Sequence, residues 1–209
     1  VLAAEAVFYT VGAVGHLQPA WLAFMLALTP WFLWMAGAAV GVTAVWGSDL
    51  KAAALWFAPV FVATFGLEVL GVATGQVFGA YQYSDVLGSK LGGVPPVIGA
   101  NWVLVVWGVS TGVRRLLPGV PEAVKVAAAA LGCVAFDYLL EPVAIGLGYW
   151  TWDGGAVPLR NYAAWGLIAG TAAWWAGRFP RLSSHPILGW YVVLQALFFA
   201  VLGGAGAKA

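Results

Sequence analysis

The sequence predicts an all-α protein, a polytopic transmembrane bundle of about seven helical spans. Three observations carry that prediction. Hydrophobic residues fill 63% of the 209 positions and charged residues only 8%, against about 25% charge in soluble domains. The apolar residues come in runs long enough to cross a bilayer, which takes about 20 residues. No strand-length alternation runs through the chain, and lipid cannot satisfy open backbone groups, so helices are the expected spanning structure. No soluble domain or internal repeat stands out, and residues 1–209 read as one integral membrane domain.

The elements follow in order. Span one covers about 1–15, with Glu5 inside it, and turns at His16, Gln18 and Pro19. Span two covers about 19–46, interrupted by Pro30. Gly47, Ser48, Asp49 and Lys51 form a turn in which Asp49 is placed to cap the next helix. Span three, about 50–72, carries Pro59, a kink position. The linker 74–96 is the longest break, and it is expected to be partly re-entrant or to lie along the membrane surface. Span four, about 97–113, closes on Arg114 and Arg115. Pro121 and Glu122 suit the start of span five, about 122–147. An aromatic, glycine-rich turn, YWTWDGGAVP, leads to span six, about 159–177, and SSHP precedes span seven, about 187–202.

Composition narrows the function classes. A net charge of +1 gives no reason to expect nucleic acid. The lone Cys133 sits in an apolar run and reads as packing. Thirteen tryptophans and seven tyrosines suit interfacial belts and a large apolar cavity. His16 and His185 fall at opposite ends of their spans, no other ligand set has a recognised metal spacing, and no phosphate-binding glycine loop or Rossmann pattern is present. No metal and no cofactor is expected.

With seven spans, the loops after spans two, four and six share one side, which holds Lys51, Arg114, Arg115, Lys125, Arg178 and Arg181. The other side holds Lys90, Arg160 and Lys208. The positive-inside bias places the first group, and the N-terminus, in the cytoplasm, with the C-terminus outside. Glu68 then lies near the outer end of span three, and Asp137 and Glu141 in the outer half of span five. Asn101 and Asn161 begin the inward-running spans four and six. Five polar groups from four spans thus converge at one depth.

An ionisable side chain at membrane depth is a functional-site hypothesis by default. Asp137 and Glu141, four apart, share a helix face. Two like charges in a dry site are unfavourable, so one is expected to hold a proton, the arrangement of a general acid–base pair. The plainer reading is that these groups only bind helices together, or that one pairs with Arg160. Glu5 is balanced between a role and a position near the cytoplasmic face. Asn101 and Asn161 are read either as helix-start and interhelical hydrogen-bonding residues or as groups orienting a water or a carboxylate. Tyr81, Tyr83, Trp102, Trp150 and Trp152 form either an outer aromatic belt or the wall of an apolar cavity beside the acids. Tyr138 points away from Asp137 by about 100° of helix rotation.

Three phrases carry a resemblance: EVLGVATGQVFGAYQY from Glu68, LGGVPPVIGANW from Leu91, and FDYLLEPVAIGLGYWTWDGGAVPLRNYAAWG from Phe136. They resemble the carotenoid biosynthesis membrane-protein family, which includes the carotenoid 1',2'-hydratases acting on bisanhydrobacterioruberin, lycopene or gamma-carotene. The matching positions are Glu68, Gly71, Phe78, Gly79, Tyr81, Tyr83, Val94, Pro95, Asp137, Pro142, Gly148, Trp150, Trp152, Pro158 and Asn161. The resemblance is strongest over 68–166, and the N-terminal region is compact by comparison. It implies cofactor-independent addition of water across the terminal C1'–C2' double bond of an open psi end. It also implies a long apolar carotenoid substrate, membrane lipids and other carotenoid-pathway enzymes as partners, and a place in the cell membrane. The residues suit that chemistry, with Asp137 as general acid, Glu68 as base or cation stabiliser, and Glu141 keeping a proton on Asp137. The acid and base roles of Asp137 and Glu68 are interchangeable at this level. The rivals are a carotenoid cyclase or isomerase, which also begins by protonating an alkene, and a non-catalytic carotenoid- or lipid-binding protein. A transporter would call for paired broken helices. A retinal photoreceptor would call for a lysine where the last span has Gln195.

Overall fold

The structure, a computed structural model, describes residues 1–46 and 49–206. Seven α-helices form in chain order: α1 Leu2–His16, α2 Pro19–Val45, α3 Leu50–Thr74, α4 Pro96–Leu116, α5 Glu122–Gly146, α6 Leu159–Ala176 and α7 Pro186–Gly204. Five of them, α2 to α5 and α7, are long and apolar enough to cross a membrane. Two fall outside that set: α1, at 15 residues, by its length, and α6 by a composition that includes Arg160, Asn161 and three tryptophans. The turn expected at Gly47 and Ser48 lies outside the described residues, as does Lys208.

Local chemistry explains the helix ends. Asp49 accepts a hydrogen bond from the Ala52 N–H at 3.0 Å, capping α3, and that donor holds its carboxyl below the usual carboxylate range. Proline opens α2, α4 and α7, where the missing N–H costs nothing. Pro30, Pro59 and Pro142 lie inside helices, as the sequence required.

Helix α4 is the centre of the molecule. It packs against α2, α3, α5, α6 and α7, and 61% of its most apolar stretch is buried, against 17% for α2. Gly108 makes this possible, because a Cβ there would run into the Leu188 carbonyl and the Val192 side chain of α7. Indole donors tie helices to distant backbone: Trp56 of α3 to the Ala172 carbonyl at 3.1 Å and Trp107 of α4 to the Ser183 carbonyl at 2.9 Å.

One departure from the all-helical expectation lies in the loops. The linker before α4 and the aromatic turn before α6 each contribute a three-residue strand, β1 Tyr81–Tyr83 and β2 Trp150–Trp152. They pair antiparallel, with Tyr81 opposite Trp152 and Tyr83 opposite Trp150. Within the linker 74–96, residues 81–83 thus form a structured ribbon with 150–152. At the opposite end of the bundle the basic side chains gather. Arg114 pairs with Glu122, Arg181 lies 3.7 Å from Asp49, and Arg115 donates to the Ser184 carbonyl.

Candidate active site

The ten side chains singled out in the sequence line one small cavity. They are Glu68, Asp137, Glu141, Asn101, Asn161, Tyr81, Tyr83, Trp102, Trp150 and Trp152. The helices set their depth. Glu68 is near the C-terminal end of α3, Asp137 and Glu141 lie one turn apart on α5, Asn101 stands in the second turn of α4 and Asn161 in the first turn of α6. The carboxylates are out of solvent, with 4, 1 and 3% of Glu68, Asp137 and Glu141 exposed. A buried carboxylate must be hydrogen-bonded or it costs heavily, and here each has its own donors.

Glu68 takes three. Its Oε2 accepts from the Tyr81 hydroxyl at 2.5 Å and the Tyr83 hydroxyl at 2.9 Å, and its Oε1 accepts from Trp102 Nε1 at 2.7 Å. Glu141 takes two indole donors on Oε2, Trp150 at 3.0 Å and Trp152 at 2.9 Å. Asp137 takes one, from Asn161 Nδ2 to Oδ2 at 2.6 Å. Arg160 is exposed and pairs with none of the three.

The ribbon delivers four of these donors. Side chains alternate across a strand, so Tyr81, Tyr83, Trp150 and Trp152 turn inward while Gln82 and Thr151 face out. Their rings pack on one another, Tyr81 on Trp152 at 4.9 Å and Tyr83 on Trp150 at 5.6 Å between centroids. Gly79 lets the ribbon approach. Its φ of +129° is glycine territory, and a Cβ would meet Pro158 at 2.7 Å. The Tyr81 and Tyr83 hydroxyls are held protonated, chiefly by burial and then by the Glu68 charge beside them. They therefore stay donors. The burial of these aromatics assigns them to the cavity. The belt reading suits instead the exposed Trp21 and Trp46, at the two ends of α2.

Sequence reasoning missed three lining residues, Ile98, Leu140 and Trp165, and gave Phe78 only as a matching position of the resemblance. Trp165 stacks on Trp102 with centroids 3.5 Å apart and planes 20° apart. The signal for it was available, since it lies four residues beyond Asn161 and thus on the same helix face. His16 and His185 are uninvolved. His16 bonds the Gly12 carbonyl and His185 caps α7. Among the described residues, no group of three or more His, Cys, Asp or Glu is placed to hold a metal ion. Glu5 is buried on α1, away from the cavity lining, with Oε2 unpaired.

The acid cavity measures about 40 Å³. One water needs roughly 10–15 Å³ of such space, so it has room for about three. It adjoins an apolar cavity of about 350 Å³ between α1, α2, α4, α5 and α7, and the two share Ile98, Asn101, Leu140 and Trp150. A second apolar cavity, about 440 Å³ between α2, α3, α4 and α7, meets the acid cavity at Asn101 alone. A water-sized acidic chamber at the end of an apolar groove can bring a proton, a water and a hydrocarbon together.

The family model for carotenoid biosynthesis proteins matches residues 16–203. The chain belongs to the carotenoid biosynthesis protein family. The chain is 29% identical over 116 residues to the bisanhydrobacterioruberin hydratase of Haloarcula japonica. That match covers 53% of this chain and 39% of the relative, so the chain spans well under two thirds of the relative's length. No solved structure matches the chain.

Proposed function

We propose that this carotenoid biosynthesis protein is a hydratase that adds water across the terminal C1'–C2' double bond of an open-ended carotenoid. The observation that carries this reading is the junction of two spaces. A carboxylate-lined chamber of water size shares four wall residues with an apolar groove. The family membership and the relative's printed name support it.

The donor pattern supports a division of labour. Hydrogen bonds to a carboxylate favour its ionised form. Glu68, with three donors, is the anion that takes a proton from water and faces the developing cation. Asp137, with a single donor, is the acid. Its O–H proton moves to the less substituted alkene carbon, the π electrons forming the new C–H bond and leaving a tertiary cation. Water oxygen bonds to that cation and releases its proton to Glu68. Proton return from Glu68 to Asp137 across the chamber closes the cycle, with no electron gained or lost. Glu141, one turn from Asp137, keeps the proton there by its charge. Aromatic faces, among them the Trp102–Trp165 stack, steady the cation. The polyene lies in the groove that begins at Ile98 and Leu140, with lipid around it.

The decisive experiment is turnover in heavy-oxygen water. Purified protein in liposomes, given an open-ended carotenoid and nothing else, should form a 1'-hydroxy product carrying the label. A product of unchanged mass would mean cyclisation or isomerisation, and unlabelled alcohol would mean oxygenation.

We also propose that the chain is one integral membrane domain of the cell membrane, with the site in the outer half and the Arg-rich end in the cytoplasm. Single cysteines at Asp153 and Arg115 test this. Labelling of intact cells should reach the first and leave the second unlabelled until the cells are permeabilised.

A further inference from the structure

The donor pattern accounts for three carboxylates but leaves Asn101 without a task. Among the described residues it is the one that lines the chamber and both apolar grooves. It makes no hydrogen bond with Glu68, Asp137 or Glu141, whose partners are Tyr81, Tyr83, Trp102, Asn161, Trp150 and Trp152. Its partner comes from another helix, where Gln195 Nε2 of α7 donates to Asn101 Oδ1 at 3.3 Å. Gln195 is 2% exposed in an otherwise apolar helix. A buried amide there is costly unless it serves the groups around it. Its amide also lies beside the Tyr9 hydroxyl of α1, while its own Oε1 has no hydrogen-bond partner.

An amide presents an acceptor at one end and a donor at the other. With Oδ1 engaged toward α7, Nδ2 is the end of Asn101 left for the chamber. We propose that Gln195 is a positioning residue for the hydration reaction: it fixes the Asn101 amide so that Nδ2 donates to the attacking water at the mouth of the groove. The placement suits the chemistry. The reacting water must stand where the hydrocarbon enters, and Asn101 borders both spaces. A water held by an N–H donor keeps a lone pair for the cation and its own protons for Glu68. The cation has two fates, capture by that water or return of the C2' proton to the carboxylate. Gln195, acting through Asn101, biases it toward capture. This inference rests on the hydratase reading and adds to it how the nucleophile is held.

The two fates can be counted separately. Protein in liposomes is given an open-ended carotenoid in D₂O, and mass spectrometry reads the alcohol formed and the deuterium in recovered alkene. Loss of the substrate's own C2' hydrogen from the cation, in place of the deuteron just added, leaves deuterium at C2' with no water added. In the wild type the alcohol should dominate. Gln195→Leu should lower alcohol formation by about 10²-fold, the scale of a misplaced reactant, while deuterium exchange persists, so the ratio of exchange to hydration rises. Gln195→Glu keeps the size of the side chain but takes away the donor, drawing the Asn101 N–H to itself, and should give the same shift. Asn101→Leu should reproduce it, and the double variant Asn101→Leu with Gln195→Leu should be no worse than either alone, the mark of residues acting as a unit. If exchange and hydration fall together in variants that still bind carotenoid, Gln195 is structural and the inference is overturned with the hydratase reading intact. A wild type that binds carotenoid and yields no alcohol overturns both.

Discussion

Two regions of the bundle treat buried polar groups in opposite ways. Around the chamber, built from α3 to α6 and the ribbon, all three carboxylates have assigned donors, six in number. Along the wall formed by α1 and α7, Glu5 Oε2, His16 Nε2 and Gln195 Oε1 are buried without a hydrogen-bond partner among the described residues. Most of α1 also lies outside residues 16–203, which match the family. The contrast separates preorganisation from mere burial. A site that stabilises developing charge must have its dipoles in place before the substrate arrives, and that condition is met only in the chamber.

The comparison can be broken at its strongest point first. Asp137→Asn keeps the shape of the side chain but cannot give up a carboxylic proton. Turnover should fall by about 10²–10⁴-fold, the usual contribution of general acid–base help, while carotenoid still co-purifies with the protein. Near-normal hydration by a folded Asp137→Asn protein would dismiss it as the acid. Glu68→Gln should be comparably severe on turnover and should also lower Tm. The new amide meets donors on both oxygens' former positions, and an unsatisfied buried donor costs about 1–3 kcal/mol. If Glu68→Gln is as active and as stable as the wild type, the preorganised chamber is an illusion of packing.

A subtler change should follow at Glu141. Glu141→Gln retains an acceptor for Trp150 and Trp152 and removes only the charge beside Asp137, so hydration should drop about ten-fold or less, on the scale of one surplus interaction. A loss as large as that of Asp137→Asn would make Glu141 the proton donor. The smallest effect belongs to the other wall. Glu5→Gln replaces a carboxyl with one unpaired oxygen by a neutral amide, so turnover should hold within about two-fold and Tm should stay level or rise. A collapse of activity there, measured in the same liposome assay, would extend the site to α1 and erase the contrast.

Much of the fold was legible because long apolar helices announce themselves. The proline and basic-residue punctuation at Pro19, Pro96, Arg114 and Pro186 marks helix ends that the structure reproduces to within a few residues. Convergence of Glu68, Asp137 and Glu141 followed from counting spans, since direction alternates and depth follows from position within each helix. The ribbon was not legible. Three residues of alternation in YQY and three in WTW are too brief for a period-two signal, and their pairing joins positions far apart in sequence. Gln195 was hidden for a related reason. One amide in an apolar run says nothing of its partner until α4 and α7 are brought together by Gly108.

The register of the ribbon has one further consequence. Tyr81 and Tyr83 serve Glu68 on α3, Trp150 and Trp152 serve Glu141 on α5, and cross-strand pairing locks the two sets together. The two carboxylates are therefore ganged like switches on a common bar. No shift of the ribbon can loosen the donors of one and leave those of the other untouched. A bulky side chain at Gly79, pressing on Pro158 and Trp152, would be felt at both acids at once. Their environments can drift only as a pair, and selection on either one is selection on the bar.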